Sequence, residues 1–222
     1  MALINMLSSV YESFLFYMEI NNMNPLSLDQ KLAQYHEFFA IKHEFSVNIM
    51  PIDNNEDCSF DQFTARIPMP FKLATDMSTI DQSALRSLQN LGNSASLLVN
   101  FLNQQSQKID LLIGYILSQQ DKVQHRYQGI KFGGGGIKFT TPKVFNVGQL
   151  LELKIFLLES HCAIYCYGEV IEVEAANELF THKVTFHFIR EEDRETLVRN
   201  SLHEQSKQLQ KLAKLRNEKN EQ

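Results

Sequence analysis

The sequence predicts an α+β protein: a small β-barrel, a long heptad-repeat helix before it, a helix after it, and a mixed region at the start. Three observations predict this class. Residues 79–120 contain no proline and repeat apolar side chains at steps of three and four. Residues 127–189 alternate apolar and polar side chains in short runs separated by turn residues. Residues 190–222 start acidic and end basic, which complements a helix dipole.

Residues 1–77 form the mixed α/β region. "PLSLDQKLAQYHEFF" reads as a helix capped by Ser27, with Leu28, Leu32, Tyr35 and Phe39 near helical spacing. "FSVNIMPI" and "QFTARIPMPF" read as strands, bounded or held at edges by Pro51, Pro68 and Pro70. The opening "MALINMLSSVYESFLFYMEI" has no early Lys or Arg and contains Glu12 and Glu19, which argues against a signal peptide.

Residues 78–121 carry the heptad seam. With Leu88 at position a, the a sites are Leu88, Ala95, Leu102, Ile109 and Ile116. The d sites are Ala84, Leu91, Leu98, Gln105, Leu112 and Gln119. Leu85, Val99 and Ile113 fall at e, and Phe101 and Tyr115 at g, where a two-stranded coil normally carries charges. A stripe this wide needs several neighbours. Either the helix self-associates as three or four strands, or it lies across the chain's own core. At about 1.5 Å per residue, ~40 residues reach ~60 Å, longer than a small domain can cover. Gln105 and Gln119 in the seam cost stability but set register and strand number.

Residues 122–190 form the predicted barrel. In "QLLELKIFLL", Leu151, Leu153, Ile155 and Leu157 share one face, and Val184, Phe186 and Phe188 do so in "HKVTFHF". Turns fall at Asn146–Gly148, Ser160 and Ala175–Glu178. Residues 191–222 form the last helix, with a thin stripe of Val198, Leu202, Leu209 and Leu212. Its basic end, with Lys207, Lys211, Lys214, Arg216 and Lys219, is either a solvated face or a docking surface for an acidic protein partner.

"GIKFGGGGIKF", residues 129–139, gathers five of the nine glycines. A phosphate loop requires Gly-Lys followed by Ser or Thr, but Lys138 lies between Ile137 and Phe139. A dinucleotide fingerprint requires a glycine at position 138 and a helix opening there, and the residues that follow read as a strand. The run therefore either turns one strand into the next, with positive φ and close backbone contact, or keeps a vestigial anion site.

Gly135-Gly136, the "IKF" after it, and then "VGQLLELKIFL", "CYGEVIEVE" and "FIREEDRETLVRNSL" follow an order similar to the PilZ domain over residues 125–205. The resemblance implies a six-stranded barrel that in many members binds cyclic di-GMP. It is strongest to the atypical tetrameric PilZ group, in which a long heptad helix joins chains through a parallel coiled coil. Placing Gly136 on the last glycine of Asp-x-Ser-x-x-Gly puts Lys131 at the Asp and Gly133 at the Ser. The family's Arg-x-x-x-Arg is represented upstream by a lone Arg126 in "KVQHRYQG". Paired arginines would grip phosphate and guanine bidentately. Without them the vestigial ligand set is Arg126, Lys131, Gly133, Gly136 and Lys138. The resemblance thus implies a bacterial signalling adaptor, a homotetramer that does not itself hold cyclic di-GMP. The alternative is a cyclic di-GMP sensor using a non-standard site.

No enzyme is expected, and no catalytic residues, cofactor or metal site. "HCAIYC" puts Cys162, Ile164 and Cys166 on one strand face and His161 on the other, with the cysteines about 13 Å apart. His36 and His43 are seven residues apart, where a zincin requires four. "TARIPMPF" and "TTPKVF" read as turn-flanked strand edges. The three cysteines suit a reducing cytoplasm, a net charge of −5 gives no reason to expect nucleic acid, and no apolar run spans a membrane. The oligomerisation residues expected are Leu88, Leu91, Ala95, Leu98, Leu102, Gln105, Ile109, Leu112 and Ile116.

Overall fold

Six antiparallel strands close into a barrel in the order β1-β2-β3-β6-β5-β4. The computed structural model describes residues 26–53, 59–79, 93–157, 162–176 and 178–220. The strands are β1 (Ala40–Pro51), β2 (Arg126–Gly133), β3 (Gly136–Thr141), β4 (Leu150–Leu157), β5 (Cys162–Ala176) and β6 (Leu179–Phe188). The helices are α1 (Leu28–Glu37), α2 (Phe60–Arg66), α3 (Met69–Thr79), α4 (Asn93–Ser118) and α5 (Glu191–Asn220). Among the described residues no helix is long and apolar enough to cross a membrane.

The barrel interior is built by period-two alternation. Leu151, Leu153, Ile155 and Leu157 of β4 meet Val47 and Ile49 of β1, Ile137 and Phe139 of β3, and Val184 and Phe186 of β6. Leu197 of α5 joins the same core and closes one mouth. Phe188 differs from its expected inward position. The β5–β6 register shifts between Tyr167 and Gly168, and this bulge sends Phe188 to a cluster outside the barrel.

The first strand is where the sequence reading and the structure part. β1 lies inside the region 1–77 that was set apart, so the barrel begins well upstream of the boundary expected at residue 122. β1 pairs with β2 through Ala40↔Gly133 to Asn48↔Arg126, and with β4 through Ser46↔Phe156 to Pro51↔Leu151. Both partners come more than 70 residues later in the chain, so nothing local marks the pairing. Without β1, the edges of β2 and β4 would each be unpaired.

"QFTARIPMPF" is helical rather than extended. Ser59 Oγ accepts from the Gln62 amide and starts α2, and Pro70 occupies the first turn of α3, where no intrahelical donor is needed. The buried residues Phe63, Ile67 and Phe71 recur every four positions, a helical step. They pack with Phe156, Tyr165 and Tyr167 on the outer face of β4 and β5, forming a second core outside the barrel. Upstream, Ser27 caps α1 as the sequence indicates, and Gln30 completes a capping box with it.

The long helix is described from Asn93 to Ser118, 26 residues. Leu88 and Leu91 lie outside the described residues. Asn48, a buried polar residue of β1, holds the joint where this helix gives way to the barrel. Its Nδ2 donates to Asp121 Oδ1 at 2.7 Å, and its Oδ1 accepts from the Lys122 amide at 2.6 Å.

Candidate functional site

The glycine run is a tight hairpin: Gly134-Gly135 joins β2 to β3, and Gly133 pairs with Gly136. The expected positive φ is absent. Among the described glycines only Gly148 has one, at 86°. Close approach is what excludes side chains here. A Cβ on Gly136 would lie 2.0 Å from the Val184 carbonyl oxygen, and one on Gly133 would lie 2.2 Å from that of Phe39.

The turn is buried on every side. The end of α1 lies against it through Tyr35 and Phe38, and Val198 of α5 reaches it from another direction. Its carbonyls are also engaged. Arg194 Nη1 donates to the Gly134 oxygen at 2.6 Å. The Gly135 oxygen accepts from the Phe186 amide at 3.2 Å and from Thr185 Oγ1 at 3.1 Å. Arg194 is itself buried, with its guanidinium 5.4 Å from the Phe38 ring centroid, and burial holds its pKa below the usual arginine range. Burial, with the Glu172 charge nearby, pushes the Tyr35 phenol up to about 12.

Four of the five residues of the expected ligand set share the β2–β3 hairpin, and Arg126 is held away from them. Arg126 stands at the far end of β2 from the turn, where its Nε and Nη2 reach the two Asp121 carboxylate oxygens at 3.0 and 2.9 Å. Lys131 and Lys138 face each other across β2 and β3. Lys138 lies 3.8 Å from Glu174. Gly133 and Gly136 are the closed base of the hairpin. The sequence reading missed Arg194, Tyr35 and Phe38, which close the turn from helices remote in sequence. "REEDRETL" carried a weak signal for Arg194, since its position shares a helix face with Leu197 and Ser201, both buried.

The seam helix shows which of its sides is covered. Val99 and Leu117 are buried, and Ile113 packs on the outer aromatic cluster, so the side near position e faces the chain's own body. The a and d side is uncovered by the described residues. Leu98, Leu102, Ile109, Leu112 and Ile116 are exposed, as are Phe101 and Tyr115 at g, and Leu112 and Tyr115 remain 64% and 67% accessible. Gln105 is half-buried, and Ala95 lies in the helix near its start.

Among the described residues no three His, Cys, Asp or Glu side chains converge as a metal site. Cys166 is buried in the barrel core and Cys162 packs against it. Burial, with the Asp193 charge nearby, raises both thiols, Cys162 to about 12.

The PilZ domain family model matches residues 102–202, from within α4 through all of β2–β6 to the first part of α5. The chain carries a PilZ domain. The chain shares its fold with a tetrameric PilZ domain from Xanthomonas campestris, described as self-assembled through an unusual helical bundle. The identity is 13% and the TM-score 0.51, covering 80% of this chain and 96% of that one. The Bacillus subtilis inhibitor of motility MotI/DgrA matches at 12% identity and a TM-score of 0.42, covering 77% of this chain. The chain spans about half the length of that protein, 51%. MrkH of K. pneumonia in its apo state matches at 17% identity and a TM-score of 0.32, covering 37% of this chain and 43% of that one. No curated protein matches the sequence.

Proposed function

We propose that this PilZ protein is a non-catalytic, oligomeric adaptor in bacterial second-messenger-linked signalling, assembled through α4. The observation that carries this reading is the apolar a/d side of α4, left exposed while its opposite edge packs on the chain's own body. A helix with this much uncovered leucine, isoleucine and tyrosine calls for further helices beside it. Copies of itself fit, because the helical bundle of the Xanthomonas tetramer offers a precedent on the same fold. In this reading the helical segment 78–121 is the assembly unit, the barrel of 122–190 with β1 is the body it carries, and 191–222 caps that body.

The adaptor does not hold cyclic di-GMP at the glycine turn. The turn's carbonyls are occupied, its surface is covered by α1 and α5, and Arg126 is committed to Asp121 far from it. Light scattering on the purified chain tests the assembly, with a mass of four copies expected and a monomer refuting it. Titration calorimetry with cyclic di-GMP tests the rest. No heat is expected, and micromolar affinity abolished by Arg126→Ala, Lys131→Ala or Lys138→Ala would establish the sensor reading instead.

A further inference from the structure

A row of four lysines crosses the outside of the barrel. The strand registers place Lys42 of β1 beside Lys131 of β2, Lys131 beside Lys138 of β3, and Lys138 beside Lys183 of β6. Three strand spacings make the row about 14 Å long. Directly opposed like charges weaken a sheet, so a four-lysine row is a local fault in a chain whose net charge is −5. Such faults concentrate at functional sites.

The chain itself shows what this row accepts. Lys183 pairs with Glu172, its neighbour on β5, and Lys138 lies 3.8 Å from Glu174. Carboxylates therefore answer one half of the row. The other half is unanswered: among the described residues, neither Lys42 nor Lys131 has an ion-pair partner, and Lys42 is exposed.

We infer that Lys42 and Lys131 dock an acidic segment of a partner protein, whose carboxylates continue the pattern begun by Glu172 and Glu174. A helix with Glu at i and i+4 presents charges about 5–6 Å apart, close to the strand spacing of the row. A small phosphate ligand fits less well. Lysines lack the bidentate fork of arginine, and the row runs along the convex outside of a barrel, whereas small-molecule sites are concave. A nucleic-acid polymer calls for an extended basic track, whereas half of this row is already neutralised by Glu172 and Glu174. The inference rests on the adaptor reading in requiring a protein partner, and its test does not depend on the number of copies.

The probe is a fluorescein-labelled, alanine-based helical peptide with Glu at every fourth position, and the same peptide with Gln as control. Anisotropy is measured at low salt against the full chain and against Lys42→Ala/Lys131→Ala. These lysines lie outside both the glycine turn and the α4 seam, so unchanged circular dichroism and mass by light scattering are expected of the variant. The Glu peptide should bind, the Gln peptide should not, and the double variant should weaken binding about fivefold or more. Lys42→Arg/Lys131→Arg should retain binding. Equal binding to wild type and the alanine variant overturns the inference. So does displacement of the peptide by cyclic di-GMP or tripolyphosphate at lower concentration than by free poly-glutamate, which would make the row a phosphate site. Failure of the adaptor reading would appear separately, as a monomer in light scattering.

Discussion

Arg194 of α5 donates to the main-chain oxygen of Gly134, 60 residues earlier in the sequence, at 2.6 Å. This bond ties the helix that closes the barrel mouth to the glycine turn between β2 and β3. Arg194→Ala would leave a buried carbonyl without its donor and uncover the Phe38 ring. We expect a loss of about 1–3 kcal/mol in urea unfolding. Arg194→Lys should recover only part of it, because the shorter ammonium does not reproduce the planar fork.

Two glycines separate crowding from backbone strain. Gly136→Ala drives a methyl to 2.0 Å from the Val184 oxygen, and neither strand can yield without breaking the β3–β6 ladder. A loss of about 3 kcal/mol is expected. Gly148→Ala meets no atom within 4 Å, and only its φ of 86° resists. That change should cost about 1 kcal/mol. Chemical denaturation of the two variants side by side checks the order, and equal losses would refute the crowding account.

Substitutions on α4 should sort by face. Leu102→Asp with Ile109→Asp places charge on the uncovered side, so the mass by light scattering should fall toward one copy while circular dichroism is retained. Leu117→Asp buries the same charge inside the aromatic cluster and should unfold the chain. An assembly that survives the first pair would place the contact elsewhere.

Stability should fall in mild acid. His182 is fully buried, stacked 5.0 Å from Phe139, and its Nε2 accepts from the Phe145 amide at 3.0 Å. Burial pushes its pKa down, so the unfolded chain binds the proton first. The neutral ring's contribution is complete above about pH 6.5 and is lost as pH falls through the lower folded value. The urea midpoint should hold between pH 8 and 7 and drop toward pH 5.5, and His182→Gln should flatten that drop.

A fragment of residues 122–222 contains five of the six strands and all but the start of the stretch that matches the family. It lacks β1, so β2 and β4 each keep an unpaired edge. We expect aggregation rather than a soluble monomer, measured by size-exclusion chromatography.

The sequence disclosed what depends on near neighbours. Alternation in "LELKIFL" marked the inner face of β4, Ser27 marked the start of α1, and heptad spacing marked α4. It concealed what depends on distant pairing. "FSVNIMPI" reads as a strand, but its partners lie beyond residue 125, and no local pattern tells a barrel strand from one in a separate domain. "QFTARIPMPF" was read through its prolines, although the four-residue step Phe63, Ile67, Phe71 was present. At the site, the departure of Lys131 from the family motif was legible. Arg194 on Gly134, and the alignment of Lys42 with Lys131, exist only once the strands are in register.

Because β1 comes before α4 and β2 comes after it, the helical excursion is anchored at both ends to neighbouring strands, joined at Asn48↔Arg126. A force on the rod, as when one copy is pulled against another, would reach the barrel wall through two attachment points on one seam. Asn48, bonded to Asp121 and Lys122, braces the point where the excursion re-enters the barrel. In the assembly proposed for α4, the segment that would gather the copies is thereby also the one through which mechanical stress would reach the barrel.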